Sequence, residues 1–516
     1  MKKTVFALSV AAALAGFAGA ASAAPTPYIK AEQADINNTD KKLSTKLSIN
    51  AGAVGHILVQ PYYTVQGTRN TLMNIINTDT KNGKAVKVRF RGARNSDDVF
   101  DFYVFLSPGD VWRARVWKNA KDEVRLDIPD TSCTLPARSV LIDENDPLGA
   151  FSTARVYDKK SKSETFEGYV EFLTVADIEP GDGAKGALYN TIKHNSVTGN
   201  VECNPTLIAN SMAVMTSKAE VLGRGFNFPT AGITGHWAIT EVVTDSTVTG
   251  NMMAIAAVDD DDFMALGNLT VAPQSTSVAH DTWDKLGTAD PLFRSGKLAD
   301  KNYDYPDLST PYLSNATGDD ADPINQANAL SEALAASEVM NEFVTVSDVK
   351  FRTDWVLSLP TRRYGVAVDY ASGAAVFNDK TPGDKAASDY FTPKNAAVVK
   401  HNGAPQVHVD IDADFYDDNE RTLNAVPSPH GGFKLDGEVS VLTFNVPVEE
   451  SVLGAAIAAN RVNPKFLSQP IDAGWGKINL VNRSGSGKKG LPVIGFAALQ
   501  AGGKALGFTW PHSFSK

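Results

Sequence analysis

Two clusters of aspartates have residue types and spacing that could do chemistry. The first is a run of four consecutive residues: Asp259, Asp260, Asp261 and Asp262. The second occupies alternate positions of a predicted strand: Asp410, Asp412 and Asp414. Like charges at this spacing repel one another unless water or a cation neutralises them, and clustered carboxylates suit Ca²⁺. An EF-hand loop starting at Asp410 would need Gly and Glu where Phe415 and Arg421 stand. The clusters are therefore either solvated surface or weak calcium sites, and no other cofactor is expected.

The remaining motifs do not predict a catalytic site. Ser484–Gly490 is rich in glycine, but it lacks the Gly and the Ser or Thr that the spacing of a phosphate-binding loop requires. Arg362 and Arg363 form either an anion site or a charged strand end. Neither an HExxH metalloprotease pattern nor a GxSxG nucleophile elbow occurs in the sequence. We therefore expect no enzymatic activity, with a secreted hydrolase assembled from distant residues as an alternative.

The N-terminal segment predicts export through the Sec pathway. Lys2 and Lys3 precede a short apolar run that ends at Ala20, and Ala21-Ser22-Ala23 has the small residues that a signal peptidase reads. Residues 1–23 are therefore a predicted signal peptide, and no later run is apolar and long enough for a transmembrane span. We expect the mature protein at the cell surface or outside the cell, with the periplasm as the alternative.

Charge and cysteine usage fit an exported protein. Losing the two lysines of the signal peptide changes the net charge from −10 to −12, and the chain has no basic patch, so nucleic acid is not an expected partner. The two cysteines, Cys133 and Cys203, are an even number in an oxidising compartment, which favours a disulfide over two free thiols. This bridge would close a loop of roughly 70 residues and stabilise the fold by roughly 4 kcal/mol in the entropy model.

Alternating apolar residues predict strands over much of the mature chain. Phe100, Phe102, Val104 and Leu106 would share one strand face, and Ser107-Pro108-Gly109-Asp110 has the composition of a turn. In the stretch KAVKVRFRG, Lys87, Arg89 and Arg91 would point away from an apolar face. Such strands recur about every ten residues, which is typical of an antiparallel sandwich. The apolar face of the Phe100 strand should lie in the core; its other face would be covered by the second block, by the N-terminal arm or by a neighbouring subunit.

These patterns divide the chain into blocks and predict an all-β-dominated fold, with several Ig-like antiparallel β-sandwich blocks and one inserted α-helix. The expected boundaries are an N-terminal arm or linker over 24–50, a β-sandwich domain over 51–180, a second β-rich block over 181–345 and a C-terminal β-rich domain over 346–516. The second block has long acidic loops and a helix near 323–340, where Asp322 is a good N-cap and Pro323 suits the first helical position. Gly181–Gly186 is expected to be a loop, and Ser451–Asn460 either a helix or a packed loop.

Four stretches carry a resemblance to a known group of proteins: NTLMNIINTDTKNGKAVKVRFRGARNSDDVFDFYVFLSPGDVW, TDWVLSLPTRRY, GWGKINLVN and GLPVIGFA. They resemble exported proteobacterial proteins described only as cell-surface or hypothetical proteins. This resemblance implies a surface location, no known enzymatic activity and no functional residues. A second likeness, in composition alone, is to surface-layer and filament-forming subunits.

The expected function is therefore that of an exported structural cell-surface protein that self-assembles into a surface layer or filament. Its partners would be other copies of itself and the cell envelope surface. A surface adhesin or ligand-binding protein is the alternative.

Overall fold

The computed structural model describes most of the mature chain. The described residues are 42–213, 215, 217–274, 306–310, 312–313, 323–377, 388, 390–426, 433–467, 469–481, 490–501 and 506–516. The predicted signal peptide, most of the predicted N-terminal arm, Asp322 and most of the glycine-rich stretch Ser484–Gly490 lie outside them.

The first unit, residues 42–274, is built mainly from strands. Its elements are β1 (Lys46–Ile49), β2 (Ile57–Thr64), β3 (Arg69–Asn77), β4 (Gly83–Gly92), β5 (Asp98–Leu106), β6 (Val111–Lys118), β7 (Val124–Asp127), β8 (Cys133–Leu135), α1 (Arg138–Leu141), β9 (Glu167–Ile178), α2 (Gly183–Ile192), α3 (Pro205–Ser211), α4 (Lys218–Gly223), β10 (Phe226–Asn227), β11 (Ile233–Glu241), β12 (Ser246–Asn251) and β13 (Met253–Val258).

The second unit, residues 323–516, begins with a helix and continues in strands. Its elements are α5 (Pro323–Leu334), β14 (Ala335–Ala336), β15 (Glu338–Val344), β16 (Arg352–Ser358), β17 (Val366–Asp369), β18 (Ala374–Phe377), β19 (Ala396–His401), β20 (Ala404–Asp417), β21 (Thr422–Val426), β22 (Phe433–Asp436), β23 (Val439–Phe444), β24 (Ala459–Phe466), β25 (Gln469–Pro470), β26 (Ala473–Asn479), β27 (Leu491–Pro492), β28 (Ile494–Ala501), β29 (Leu506–Pro511) and β30 (Ser513–Ser515).

Two antiparallel sheets form a sandwich in the first unit, as the sequence predicts. The larger sheet has the order β1-β13-β2-β9-β4-β5-β8, with β10 on β9, and the smaller sheet has the order β12-β11-β3-β6-β7. Phe102 of β5 and Trp112 of β6 meet between them, with ring centroids 5.8 Å apart. The Phe100, Phe102, Val104 and Leu106 face is buried in this core, which we call the first core.

The division predicted at residue 180 is wrong, because strands from beyond it complete both sheets. β13 lies between β1 and β2 in the larger sheet, and β11 pairs with β3 in the smaller one. Alternation within a strand indicates that it has a buried face but says nothing about which strand lies beside it. The first sandwich therefore extends from residue 42 to Val258.

The outer face of β5 is covered by segments of the predicted second block. Tyr103 and Phe105 are buried against α2, α3 and residues near 270, and the Tyr103 hydroxyl donates to the carbonyl of Ala272 at 2.8 Å. The second block is thus one of the expected covers, and Leu43 of the predicted N-terminal arm packs against the same cluster. The expected loop at Gly181–Gly186 is wrong from Gly183 onward, because α2 begins there, and the described residues contain five helices rather than one.

One large sheet forms most of the second unit. Its order is β29-β28-β16-β23-β24-β21-β20-β26-β15-β30, with β19 and β22 also on β20 and β25 on β24. Only His512 separates β29 from β30, so the last residues pair with β28 on one side and β15 on the other and bring the two ends of the sheet together. The sheet encloses a core, which we call the second core. In it the rings of Phe343 and Phe444 stack with their centroids 4.9 Å apart.

β16, β23 and β28 separate the two cores and belong to both. Val356 of β16 packs in the first core, whereas its neighbours Trp355 and Leu357 pack in the second. Phe496 of β28 reaches the first unit, where its ring lies 4.5 Å from that of Trp237. Because three strands form a wall common to both cores, the two units pack as one body.

Two predicted segments, 323–340 and 451–460, each end where a strand begins. The helix predicted near 323–340 ends at Leu334, because Val339 and Phe343 have the alternation of β15 and are both fully buried. The stretch predicted as a helix or packed loop at Ser451–Asn460 is a packed loop up to Ala458, where β24 follows.

The disulfide between Cys133 and Cys203 is confirmed. Its Cα atoms are 5.2 Å apart, and it attaches the segment before α3 to β8 at the edge of the larger sheet.

We expect Phe102→Ala to lower the free energy of unfolding by about 3–5 kcal/mol, because it removes a fully buried ring from the first core. Phe263→Ala is the matched control, since 68% of that side chain is exposed, and it should change stability by less than about 0.5 kcal/mol. Urea unfolding of the two variants measures the difference. Equal losses of unfolding free energy in the two variants would contradict the burial of the Phe102 ring in the first core.

Candidate functional site

Four basic side chains of β4 are buried. Lys87, Arg89 and Arg91 lie on the outer face of the larger sheet, and Lys84 lies on the other face, opposite Leu106. Lys84 and Lys87 are fully buried, and Arg89 and Arg91 are 1% exposed. The sequence correctly predicts that Lys87, Arg89 and Arg91 point away from the apolar face, but it gives no sign that this second face is also covered. Buried charges require partners, because an isolated ion loses far more hydration energy than packing returns.

Carboxylates of the first unit neutralise three of these cations. Lys84 contacts Asp177 at 2.6 Å and donates to the Thr230 hydroxyl at 2.7 Å. Lys87 pairs with Asp101, and Arg89 pairs with Asp98. Each partner lies on the same sheet or in the loop beside it, so these three pairs need no contribution from the second unit.

Arg91 belongs to a cluster formed by both units. It contacts Glu171 at 3.2 Å and Asp307 at 3.4 Å, and Arg363 of the second unit contacts the same Asp307 at 3.1 Å. Tyr364 also donates to Asp307, at 2.9 Å. One carboxylate from the segment between the units therefore binds guanidinium groups from both of them.

A second contact places the β4–β5 turn of the first unit inside the second. Arg94 of this turn forms a two-point pair with Glu164 at 2.9 and 3.0 Å and donates to Gln406 of the second unit at 3.1 Å. Arg362 pairs with Glu438 at 2.6 Å, and the Glu438 amide donates to the carbonyl of Ala93 in the turn at 2.9 Å. Arg362 and Arg363 are thus buried, and the anions that they bind are carboxylates of this chain.

Glu167 of β9 forms a third contact, with the packed loop of the second unit. This carboxylate is fully buried. Its five donors are the amides of Ala456, Ile457 and Ala458 at 2.8, 2.9 and 3.2 Å, the Tyr62 hydroxyl at 3.1 Å and the Gln66 side chain at 2.7 Å. Successive backbone amides make a concave anion-binding site. Here the site is formed by the packed loop of the second unit, and the anion that it binds is the Glu167 carboxylate of the first unit.

We call Arg91, Arg94, Glu164, Glu167, Glu171, Asp307, Arg362, Arg363 and Glu438 the inter-unit network. Burial raises the pKa of Glu171 and of Glu438, although arginines lie beside both carboxylates. Burial also raises the pKa of Asp307, but Arg363 and Arg91 outweigh it and the pKa is lowered overall. All nine side chains are buried. A substrate could not reach them, and the arrangement is suited to holding the units together.

The first aspartate cluster lies beside lysines of the segment that leads into β1. Lys42 contacts Asp259 at 3.0 Å and Asp261 at 2.9 Å, and Lys46 contacts Asp262 at 3.0 Å. The Thr45 hydroxyl donates to Asp260 at 2.7 Å. Every carboxylate of this run therefore has a donor from the chain itself. Calcium binding here stays a prediction.

The second cluster lies on the outer face of β20. Asp410 contacts Lys434 at 3.3 Å, and Asp412 and Asp414 are exposed opposite Asn479 and Lys477 of β26. Over the part of the chain that the structure describes, no three His, Cys, Asp or Glu side chains are grouped so that they could hold a metal ion. Calcium at Asp410, Asp412 and Asp414 also stays a prediction.

An open groove crosses the outer face of the smaller sheet, with a volume of about 880 Å³. Residues facing it include Leu72, Arg113, Arg115, Asp127 and His236. Sequence reasoning missed this site because its residues come from five strands that are distributed along the chain. The alternation in β3, β6 and β11 identifies outward positions, but only strand pairing brings them together.

No family model, curated protein or solved structure matches this chain. In the described part of the chain, no helix has the length and apolar character needed to cross a membrane.

We expect Arg362→Met to lower the free energy of unfolding by about 3–5 kcal/mol, because it leaves Glu438 as a buried charge without this partner. Arg352→Met is the matched control: the Arg352 and Glu450 side chains of that pair are 30% and 45% exposed, and its loss should cost at most about 1 kcal/mol. Adding Glu438→Gln to Arg362→Met should recover part of the loss. Equal costs for the two arginine variants in denaturant unfolding would contradict a structural role for the network.

Asp97, in the β4–β5 turn, gives a pH prediction. Burial raises its pKa from 3.8 to about 7, despite a hydrogen bond donated by Tyr370. The folded state therefore retains a proton that the unfolded state releases, so this contribution to stability is complete below pH 3.8 and is lost as the pH rises through 7.

Asp97→Asn removes this titration while keeping an oxygen for Tyr370. The melting temperature of the variant relative to the wild type should rise between pH 5 and pH 8, because only the wild type must then bury a charge. Thermal unfolding of both proteins across this range measures the difference, and a constant difference would contradict the prediction.

Proposed function

We propose that this protein is an exported structural protein of the cell surface that self-associates into a layer or filament. The observation that carries the proposal is the inter-unit network, together with the wall of strands that belongs to both cores. An enzyme or ligand-closing protein commonly needs a cleft that opens and shuts between its units. In this chain charged residues and packed strands fill the place where such a cleft would lie, which suits a rigid building block.

The sequence supports an extracellular location for that block. The signal peptide predicted over residues 1–23 would export the chain, and the bridge between Cys133 and Cys203 is stable under oxidising conditions. The resemblance to exported cell-surface proteins points the same way.

The edges of the sheets indicate how such copies could meet. β1 is packed against α5, β8 lies beside α3, and β12 lies beside β29, where the Thr509 hydroxyl donates to the carbonyl of Thr249. The amide of Phe151 donates to the carbonyl of Val124 at the β7 edge, at 3.0 Å. Strand edges with such cover are poor templates for pairing with another chain. We therefore infer that association uses side-chain faces of the sheets.

A surface adhesin or ligand-binding protein is the second candidate. The open groove on the smaller sheet favours it, because a concave surface with arginine, histidine and amide side chains can bind a ligand. If the protein is an adhesin or ligand-binding protein, the groove would hold a ligand; if it is a structural subunit, the groove would be free to hold another copy of the chain.

Electron microscopy of the purified mature protein, beginning at Ala24, tests the proposal. We expect ordered layers or filaments, and a matching structure on cells that is lost when the gene is deleted. The control is the same protein, with its disulfide intact, at a concentration too low for association, where only single molecules should be seen. A protein that stays monomeric at every concentration and leaves the cell surface unchanged would refute the proposed function, and a monomer that binds surface glycans would support the second candidate.

A further inference from the structure

We propose that the open groove of one copy receives the outer face of β20 and β26 from a second copy. This inference rests on the proposed function and names the contact through which copies would associate. It commits to a head-to-tail contact, because the groove belongs to the first unit and the outer face of β20 and β26 belongs to the second.

The groove has an apolar floor with two arginines and a histidine around it. Leu72, 39% exposed, is in register with Ala238 on one side and Arg115 on the other. The next row across the sheet places His236 and Arg113 on either side of Asn74, and both are exposed. Such a floor would be covered by an apolar side chain, and its surroundings would favour acidic ones.

Only one of the two arginines is available. Arg115 pairs with Asp127 at 3.2 Å, and Asp130 accepts a hydrogen bond from the backbone amide of Arg113. Within the described ranges, however, the Arg113 guanidinium has no carboxylate partner. Arg113 is therefore the cation of the groove that can bind an incoming carboxylate without giving up an existing ion pair.

The outer face of β20 and β26 has the complementary composition. Tyr416 and Trp475 stack with ring centroids 4.6 Å apart, and Trp475 remains 39% exposed. Asp412, Asp414 and Glu342 are exposed around this pair. The nearby cation Lys477 contacts Glu338 at 3.4 Å, and the Asp414 and Glu342 carboxylates are exposed on the same face.

These two faces match in polarity and charge. The aromatic pair would cover Leu72, and the carboxylates would meet Arg113 and His236. Trp, Tyr and Arg are the residues most often found to dominate the energy of protein interfaces. Complementary charges around an apolar centre also select one register and disfavour contact between like faces.

The contact has a consequence for assembly. Because the two faces differ, the contact is heterologous, so each copy can bind one neighbour through its groove and another through its β20 and β26 face. A heterologous contact generates a ring if the rotation closes and an open filament if it does not.

Charge reversal on each face provides the test, with analytical ultracentrifugation as the measurement. Arg113→Glu and Asp414→Arg should each raise the dissociation constant for self-association at least about tenfold, because like charges would then meet at the contact. An equimolar mixture of the two variants should associate again, since each contact between unlike variants pairs opposite charges. Lys185→Glu is the matched control: it makes the same kind of change at an exposed site on α2, on the other side of the first sandwich, and should leave association unchanged.

The aromatic pair gives a second, uncharged test. Trp475→Ala should also weaken association at least about tenfold, as expected for an interface residue of this type. Circular dichroism and thermal unfolding of every variant establish that the monomer is folded, so that lost association is assigned to the contact.

The outcomes separate this inference from the proposed function. If the wild type associates and the single-face variants associate equally well, or if the mixture fails to recover, copies meet elsewhere and only this inference fails. If Arg113→Glu abolishes binding to a surface glycan but leaves self-association intact, the groove takes that ligand and the inference is overturned. A wild type that never associates overturns the proposed function and this inference together.

Discussion

Burying the basic side chains of β4 is the constraint on which the rest of the structure depends. The outer face of the larger sheet has three cations in a row, Lys87, Arg89 and Arg91, and no apolar layer could cover them without leaving charge in a low-dielectric interior. The chain covers them with carboxylates, from the sheet itself for Lys87 and Arg89, and from Glu171 and Asp307 for Arg91. Asp307 also pairs with Arg363, so neutralising β4 brings the second unit against the first.

We infer that the network contributes more to specificity than to net stability. Replacing a buried ion pair with well-packed apolar residues is often neutral or stabilising, because desolvation offsets most of the Coulomb attraction. A mismatch is costly, however: if the second unit shifted along the sheet, Asp307 could no longer bind both Arg91 and Arg363. Gln406 would also lose Arg94, and Glu167 would lose the amides of the packed loop. Apolar packing around Phe496 and Trp237 tolerates small shifts better than these directional contacts do. The charges therefore select one arrangement of the units, and the shared wall supplies apolar burial.

Local features of the fold could be predicted from the sequence, and long-range ones could not. The alternation of Phe100, Phe102, Val104 and Leu106 correctly indicates the strand and its buried face, because side-chain direction depends on neighbours along the chain. The insertion of β13 between β1 and β2 has no local signal, since strand partners are chosen by the whole fold. The burial of Lys87, Arg89 and Arg91 was missed because polar residues on alternate positions usually face water. For Arg91 the partner Asp307 also lies 216 residues further along the chain. The candidate groove is the extreme case, because strand pairing alone assembles it.

The same constraint bears on what the protein can do as a component of an assembly. A load applied to one unit passes to the other through strands packed on both sides and through ion pairs that cannot slide without exposing charge, so the body should resist bending between its units. Covered strand edges remove the least specific route of association, which is pairing with the backbone of any extended chain. In the proposed assembly, copies would meet through side chains on sheet faces, where an apolar centre would provide adhesion and the surrounding charges would select the partner. A protein with a rigid interior and selective faces can repeat one contact in one orientation, and that repetition is what an ordered layer or filament requires.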